Sequence, residues 1–102
     1  MKLMILGYNK ALGINKDNEN FKEMARKNEE ESKELKEALE SGDQLKIAEE
    51  TLDQIQVCIG ILDKLSSQGI NIDQIAKRHN KKLIMRHWKE KGVINIHWKK
   101  NV

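Results

Sequence analysis

One short break, Ser41-Gly42-Asp43, separates two long stretches of helix-forming sequence and constrains the fold more than any other feature. Glycine commonly ends helices in the left-handed conformation, and Asp43 can cap the helix that follows. A connection this short places the two helices side by side and antiparallel. The chain also has no proline and only 4% aromatic residues, which favours helix throughout. We therefore predict an all-α protein built on a helical hairpin.

Capping and stop signals predict three main helices. The first takes Asp17 or Asn18 as its N-terminal cap and runs to the break, and the second spans about 44–67. The third begins just after Asn71 and fades at about 89–91. The expected architecture is an antiparallel bundle of these three helices with a short N-terminal arm or helix, completed by oligomerisation.

The remaining segments are short, and 102 residues suffice for a single domain. Residues 1–15 predict a short helix or a turn-rich arm, about 20–90 form the motif-bearing core, and 92–102 form a basic tail. Within the tail, 93–98 has the composition of a strand, which either pairs with a second copy or lies along the bundle.

A lone Cys58 excludes an internal disulfide and a cysteine-based zinc site. The apolar runs are too short for a membrane span or a signal peptide, so we expect a cytoplasmic protein without a membrane partner.

The second helix is apolar over more than half of its circumference, which indicates that it has neighbours on most sides. With 38% hydrophobic and 34% charged residues, the core of one chain is lean, and association with further copies would stabilise it. We therefore predict a homodimer or homotetramer with Ile55, Ile59 or Leu62 near the interface.

Helical periodicity turns four carboxylates toward the interior of the hairpin. At about 100° per residue, Glu31 falls inside the apolar stripe of the first helix, and Glu34 flanks it. On the second helix, Glu50 lies at the edge of the apolar arc, and Asp53 lies one turn further along. Inward carboxylates from adjacent helices repel one another unless a cation lies between them, and hard oxygen ligands suit Mg²⁺ or Mn²⁺ rather than zinc. The alternative is an ordinary charged helix whose glutamates reach the edge of the core by chance.

The charges are divided between two parts of the chain. Residues 29–53 hold ten acidic and three basic residues, a net charge of −7, whereas 77–102 hold nine basic and one acidic, a net charge of +8. On the third helix, Arg86 lies in the apolar stripe with Leu83, and Lys82 borders that stripe. A cation in such a position requires an anionic partner, which is either a phosphate group or the acidic helices. The residues alone leave both alternatives open.

Two segments of the hairpin together resemble a known family signature. EESKEL at 30–35 and EETLD at 49–53 resemble the ExxE…ExxD motif of the MazG-like all-α nucleoside triphosphate pyrophosphohydrolases. Relatives of that family include dimeric dUTPases, dCTP pyrophosphatases and phosphoribosyl-ATP pyrophosphohydrolases. HNKKLIMRHW at 79–88 is similar to the basic motif that these proteins carry on the following helix.

The resemblance implies a Mg²⁺-dependent hydrolase that converts an NTP or dNTP to its monophosphate and pyrophosphate. It implies that all four inward carboxylates are metal ligands, with Mn²⁺ as a substitute ion, and that Glu34 also orients or deprotonates the attacking water. It places substrate-binding residues on the third helix at Asn80, Lys82 and Arg86. Members of the family are dimers or tetramers.

Two alternatives lack catalysis. The basic segment 77–100, in which Trp88 and Trp98 lie among lysines and arginines, is typical of a nucleic-acid-binding module. The predicted inner position of Lys82 and Arg86 argues against it, so nucleic acid is not the expected partner. A purely structural helical dimer is the other alternative. A di-iron carboxylate bundle is excluded because it requires Glu-x-x-His on two helices, and the sequence has no such tetrapeptide.

Overall fold

The computed structural model describes residues 1–100 and consists mainly of three α-helices. These are α1 (Phe21–Ser41), α2 (Gln44–Ser67) and α3 (Ile72–Met85). They are preceded by a small antiparallel hairpin, β1 (Tyr8–Asn9) with β2 (Ile14–Asn15), and by a 3₁₀ turn at Lys16–Asn18. The predicted all-α class and the three main helices are confirmed. Over the described residues, no helix combines the length and the apolar character needed to cross a membrane.

Helices α1 and α2 pack against each other as the predicted hairpin. Met24 and Ala38 are buried on the face of α1 that meets α2, with exposed fractions of 5% and 0%. Two hydrogen bonds also join the helices: Ser32 Oγ donates to Gln54 Oε1 at 3.0 Å, and Gln54 Nε2 donates to Asn28 Oδ1 at 2.6 Å. Because Gln54 contacts both residues, it sets the register in which the middle of α1 faces α2.

The N-terminal caps follow the local sequence, with one correction. Asp43 and Asn71 cap α2 and α3 as predicted, each accepting a backbone N–H three residues further on. The cap of α1 is Asn20, whose Oδ1 accepts from the Glu23 N–H at 2.8 Å, and not Asp17 or Asn18. Those two residues belong to the 3₁₀ turn, which closes through a bond from the Glu19 N–H to the Lys16 carbonyl. Because these residues form the 3₁₀ turn, α1 begins only after it, at Phe21.

Helix α3 ends at Met85, four to six residues before the predicted end at 89–91. The Trp88 N–H donates to the Leu83 carbonyl at 3.1 Å, and the His87 N–H donates to the Ile84 carbonyl at 3.0 Å. This bond pair is the Schellman motif, and it requires the left-handed conformation that His87 adopts, with φ of 71°. The sequence interpretation expected a glycine at such an end and therefore extended the helix.

Replacing His87 with glycine is expected to stabilise the protein, because a side chain in the left-handed region costs about 1 kcal/mol that glycine avoids. The melting temperature of His87→Gly, measured by circular dichroism, should exceed that of the unmodified chain by a few degrees. Lys89→Gly, which lies beyond the motif, is the control and should have no such effect. A lower melting temperature for His87→Gly would contradict the assigned helix end.

Helix α3 makes few contacts with α2 and does not pack along α1. Only Ile72 and Leu83 are half-buried on this helix, while Ile75 and Ile84 are 46% and 71% exposed. The apolar stripe of α3 is therefore only sparsely covered within the described part of one chain. The predicted inner position of Lys82 and Arg86 is not found there either, since both side chains are exposed and Arg86 lies just past the last helical residue.

The basic tail has no regular secondary structure from Trp88 to Lys100. It returns to the hairpin near its end, where Trp98 is half-buried and Lys100 Nζ lies 2.7 Å from Asp63 Oδ1 on α2. The segment 93–98 forms no strand within one chain and the apolar side chains of 93–96 are exposed, so both alternatives for it stay predictions. Residues 101 and 102 of the predicted tail lie outside the described residues.

Candidate metal centre

Three of the four predicted carboxylates converge in the middle of the helical hairpin. Glu31 comes from α1, and Glu50 and Asp53 come from α2. Each offers one oxygen, and these three oxygens lie within 4.8 Å of one another. The three-residue spacing places Glu50 and Asp53 on the same side of α2, and the packing of the hairpin places Glu31 opposite them. The arrangement brings hard oxygen donors together at a separation that one divalent cation can bridge.

Two of the three carboxylates are poorly satisfied by the protein itself, whereas Asp53, which the sequence predicted to point toward the interior, is exposed. Glu31 is only 7% exposed, and its buried Oε2 has no hydrogen-bond partner among the described residues. Glu50 Oε2 is likewise buried without a partner there. Leaving a buried polar group unpaired costs about 1–3 kcal/mol, and more for a charged one. A cation bound between these oxygens would supply the missing interaction, so the residues fit a metal centre.

Glu34 lies beside the cluster but is not one of the three converging residues. The negative charge of Glu31 raises the pKa of Glu34 above its ordinary value, and desolvation and the charge of Glu50 act in the same direction. The side chain therefore experiences the electrostatic field of the cluster from one helical turn away. The predicted catalytic role of Glu34 stays a prediction.

Lys27 is the residue that the sequence interpretation missed. Its Nζ lies 3.1 Å from Glu31 Oε1 and 3.8 Å from Glu30 Oε2. Hydrogen bonding to Glu31 is the main cause that raises the pKa of Lys27, while partial burial acts in the opposite direction. The four-residue spacing from Lys27 to Glu31 is visible in the sequence, but such pairs are common in a helix this rich in charge. Only the burial of Glu31 distinguishes this pair from the others.

A cavity of about 430 Å³ opens beside the cluster, between the N-terminal arm, α1 and α2. Glu31 and Asp53 line it together with the apolar side chains of Met24 and Val57. Three lysines also line it: Lys16, which pairs with Glu19, Lys27, which pairs with Glu31, and Lys64. Further carboxylates of the lining come from Asp17, Glu19 and Asp63. The volume is within the range of small-ligand sites, and the lining holds five carboxylates and three lysines.

The predicted substrate-binding residues of α3 are not part of this site within one chain. Asn80, Lys82 and Arg86 are exposed, and none of them lines the cavity beside the carboxylates. The reason is the direction of α3, which leaves the hairpin instead of packing along it. The lysines beside the carboxylates come instead from the arm, α1 and α2 in the described part of the chain.

No protein-family model, curated protein or solved structure matches this chain. The interpretation of the site therefore depends on its geometry and on the ExxE…ExxD resemblance. The motif alone does not locate individual atoms, whereas the structure gives the positions of the carboxylate oxygens and of the lysines around them.

Proposed function

We propose that this protein is a Mg²⁺-dependent nucleoside triphosphate pyrophosphohydrolase. The observation that carries the proposal is the convergence of Glu31, Glu50 and Asp53 from two helices, with a buried carboxylate oxygen left unpartnered. Protein Mg²⁺ sites typically combine a small number of carboxylates with waters and substrate phosphates, which accounts for a cluster beside an open cavity. The motif resemblance supports an NTP or dNTP as the substrate. A free, exposed Cys58 and a nucleotide substrate both favour the proposed cytoplasmic location.

In this proposal the chain's own residues bind the ion and direct the water. Glu31, Glu50 and Asp53 would hold Mg²⁺, or Mn²⁺ in its place, which would supply neutralisation of phosphate charge and a lowered pKa of water. Glu34, one turn from Glu31, accepts a proton from the attacking water. Addition of that water across the anhydride between the α- and β-phosphates releases a nucleoside monophosphate and pyrophosphate. Lysines that line the cavity stabilise the charge of the phosphate chain.

The direct test is pyrophosphate release from a panel of NTPs and dNTPs, with Mg²⁺, with Mn²⁺ and with EDTA. We expect a monophosphate and pyrophosphate in equal amounts, only in the presence of a divalent cation. The absence of pyrophosphate release from every nucleotide in the panel would count against the enzyme. Release of inorganic phosphate would point to cleavage of a different bond.

The proposed enzyme is a homodimer or homotetramer. Two observations support this: α3 is sparsely packed within one chain, and large apolar side chains of α2 reach the surface, with Leu52 40% and Ile55 36% exposed. Packing α3 against a second copy would cover its apolar stripe. It would also allow Arg86 of one chain to reach the phosphates bound at the centre of another.

Sedimentation velocity tests this assembly. At micromolar concentration we expect a dimer or a larger species, and we expect Ile55→Asp to shift it toward the monomer because a charge would be buried in the interface. Gln44→Asp, which alters an exposed polar side chain in the first turn of α2, is the control and should leave the assembly intact. A folded wild-type monomer at this concentration would contradict the oligomer.

Nucleic-acid binding is the second candidate, and one observation favours it. Basic side chains along α3 and the start of the tail are exposed within one chain: Lys77, Arg78, Lys81, Lys82, Arg86, Lys89 and Lys91. The objection that Lys82 and Arg86 face inward therefore does not hold for the single chain. Tight binding to DNA or RNA that weakens steeply with salt, without nucleotide hydrolysis, would favour this candidate over the enzyme. A structural dimer without catalysis leaves the convergence of three carboxylates unexplained.

A further inference from the structure

The buried carboxylate of the candidate metal centre already has a cationic neighbour of its own. Lys27 Nζ lies 3.1 Å from Glu31 Oε1, while the other oxygen of Glu31 has no partner among the described residues. The two side chains differ sharply in exposure, with 9% for Glu31 and 45% for Lys27. The carboxylate is therefore held in place by packing, whereas the ammonium is at the end of a flexible stem that reaches solvent.

A divalent cation and the Lys27 ammonium cannot both lie against this carboxylate at low cost. Their charges have the same sign, and repulsion over a few ångströms is strong in a partly buried site where water screens poorly. The pair with Lys27 therefore weakens binding of an ion at the free Oε2, and movement of the ammonium away from Glu31 strengthens it.

Two positions are open to the Lys27 ammonium when it leaves Glu31. Glu30 Oε2 lies 3.8 Å from Lys27 Nζ on the solvent side, where the Glu30 side chain is 59% exposed. Lys27 also lines both the 430 Å³ cavity and an adjoining groove of about 640 Å³ between the N-terminal arm and α1. The displaced ammonium therefore stays hydrated or paired, so its departure carries no cost of burying an unpaired charge.

We infer that Lys27 is a displaceable counter-ion of Glu31, which competes with the divalent cation for this carboxylate and so sets the affinity of the centre for the ion. This inference rests on the proposed metal centre. Lys27 stabilises the hairpin while no ion is bound, because it compensates the charge of the buried Glu31. It weakens binding of the ion because the two positive charges repel each other across the carboxylate.

The test is a calorimetric titration of the protein with Mn²⁺ alone, without nucleotide. Lys27→Met removes the charge and keeps much of the stem, so we expect a Kd about three- to tenfold lower than that of the wild type. Lys27→Arg keeps a competing cation, and its Kd should lie within about twofold of the wild-type value. Lys36→Met is the matched control, since it breaks a pair with Glu40 of the same spacing on an exposed face of the same helix. Its Kd should be unchanged.

Thermal melting provides a second measurement. Without metal, Lys27→Met should melt at a lower temperature than the wild type, and saturating Mn²⁺ should raise its melting temperature by more. Lys27→Gln repeats both measurements with a polar replacement if methionine impairs folding. An equal or higher Kd for the uncharged variants would overturn the inference while leaving the metal centre in place. Absence of Mn²⁺ binding to all of these proteins would overturn the metal centre and this inference together.

Discussion

Replacing Glu50 with glutamine is expected to reduce Mg²⁺-dependent pyrophosphate release at least about a hundredfold. The change keeps the size of the side chain but removes the negative charge of a ligand, and metal-ion catalysis is worth several kcal/mol. Glu49→Gln is the matched control, because the neighbouring glutamate is exposed and lies outside the cluster. Its turnover should equal that of the wild type. Equal loss in both variants would show that the effect is not specific to the metal centre.

The same two variants distinguish loss of metal binding from loss of folding stability. Mg²⁺ or Mn²⁺ should raise the melting temperature of the wild type and of Glu49→Gln, because a ligand of the native state stabilises it by mass action. Glu50→Gln should lose that increment. In the absence of metal, Glu50→Gln should melt at a higher temperature than the wild type, since one charge of a mutually repelling cluster has been removed. An identical response of all three proteins to the ion would contradict the carboxylate site.

Replacing Arg86 with alanine is expected to lower turnover about a hundredfold, because a contact with charge that develops in the transition state is worth a few kcal/mol. Lys99→Ala, which removes an exposed cation from the tail, is the control and should leave turnover nearly unchanged. If the protein binds nucleic acid instead, neither the wild type nor the variants hydrolyse nucleotides, and loss of either cation reduces the salt dependence of binding.

Mixing two inactive variants tests whether Arg86 acts across the subunit interface. In a symmetric dimer, equal amounts of Arg86→Ala and Glu50→Gln form mixed dimers after subunit exchange, and one of their two sites carries neither change. We therefore expect about a quarter of wild-type activity in the mixture, whereas each variant alone has almost none. No recovery would mean that Arg86 acts within its own chain or takes no part in the reaction.

The beginnings and ends of the helices show which structural features the local sequence can predict. Asp43 and Asn71 cap the helices that follow them as predicted, and Gly42 and Gly69 adopt the left-handed conformation at helix ends. Such caps and glycine ends depend only on residues within one helical turn, so they can be predicted from the sequence. His87 takes the same left-handed position at the end of α3 without being glycine, and nothing in its type indicates that.

Part of the candidate site can likewise be predicted from local sequence, and part depends on how the helices pack. The inward direction of Glu31 and Glu50 follows from helical periodicity and from a connection too short for anything but a hairpin, both of which can be derived from the sequence. The tertiary structure alone decided that Glu34 lies outside the converging group, that Lys27 pairs with the buried Glu31, and that α3 leaves the hairpin. The physical reason is that periodicity defines angles around a single helix axis. The distances between side chains depend on how the helices rotate and cross when they pack, and that depends on the whole set of contacts.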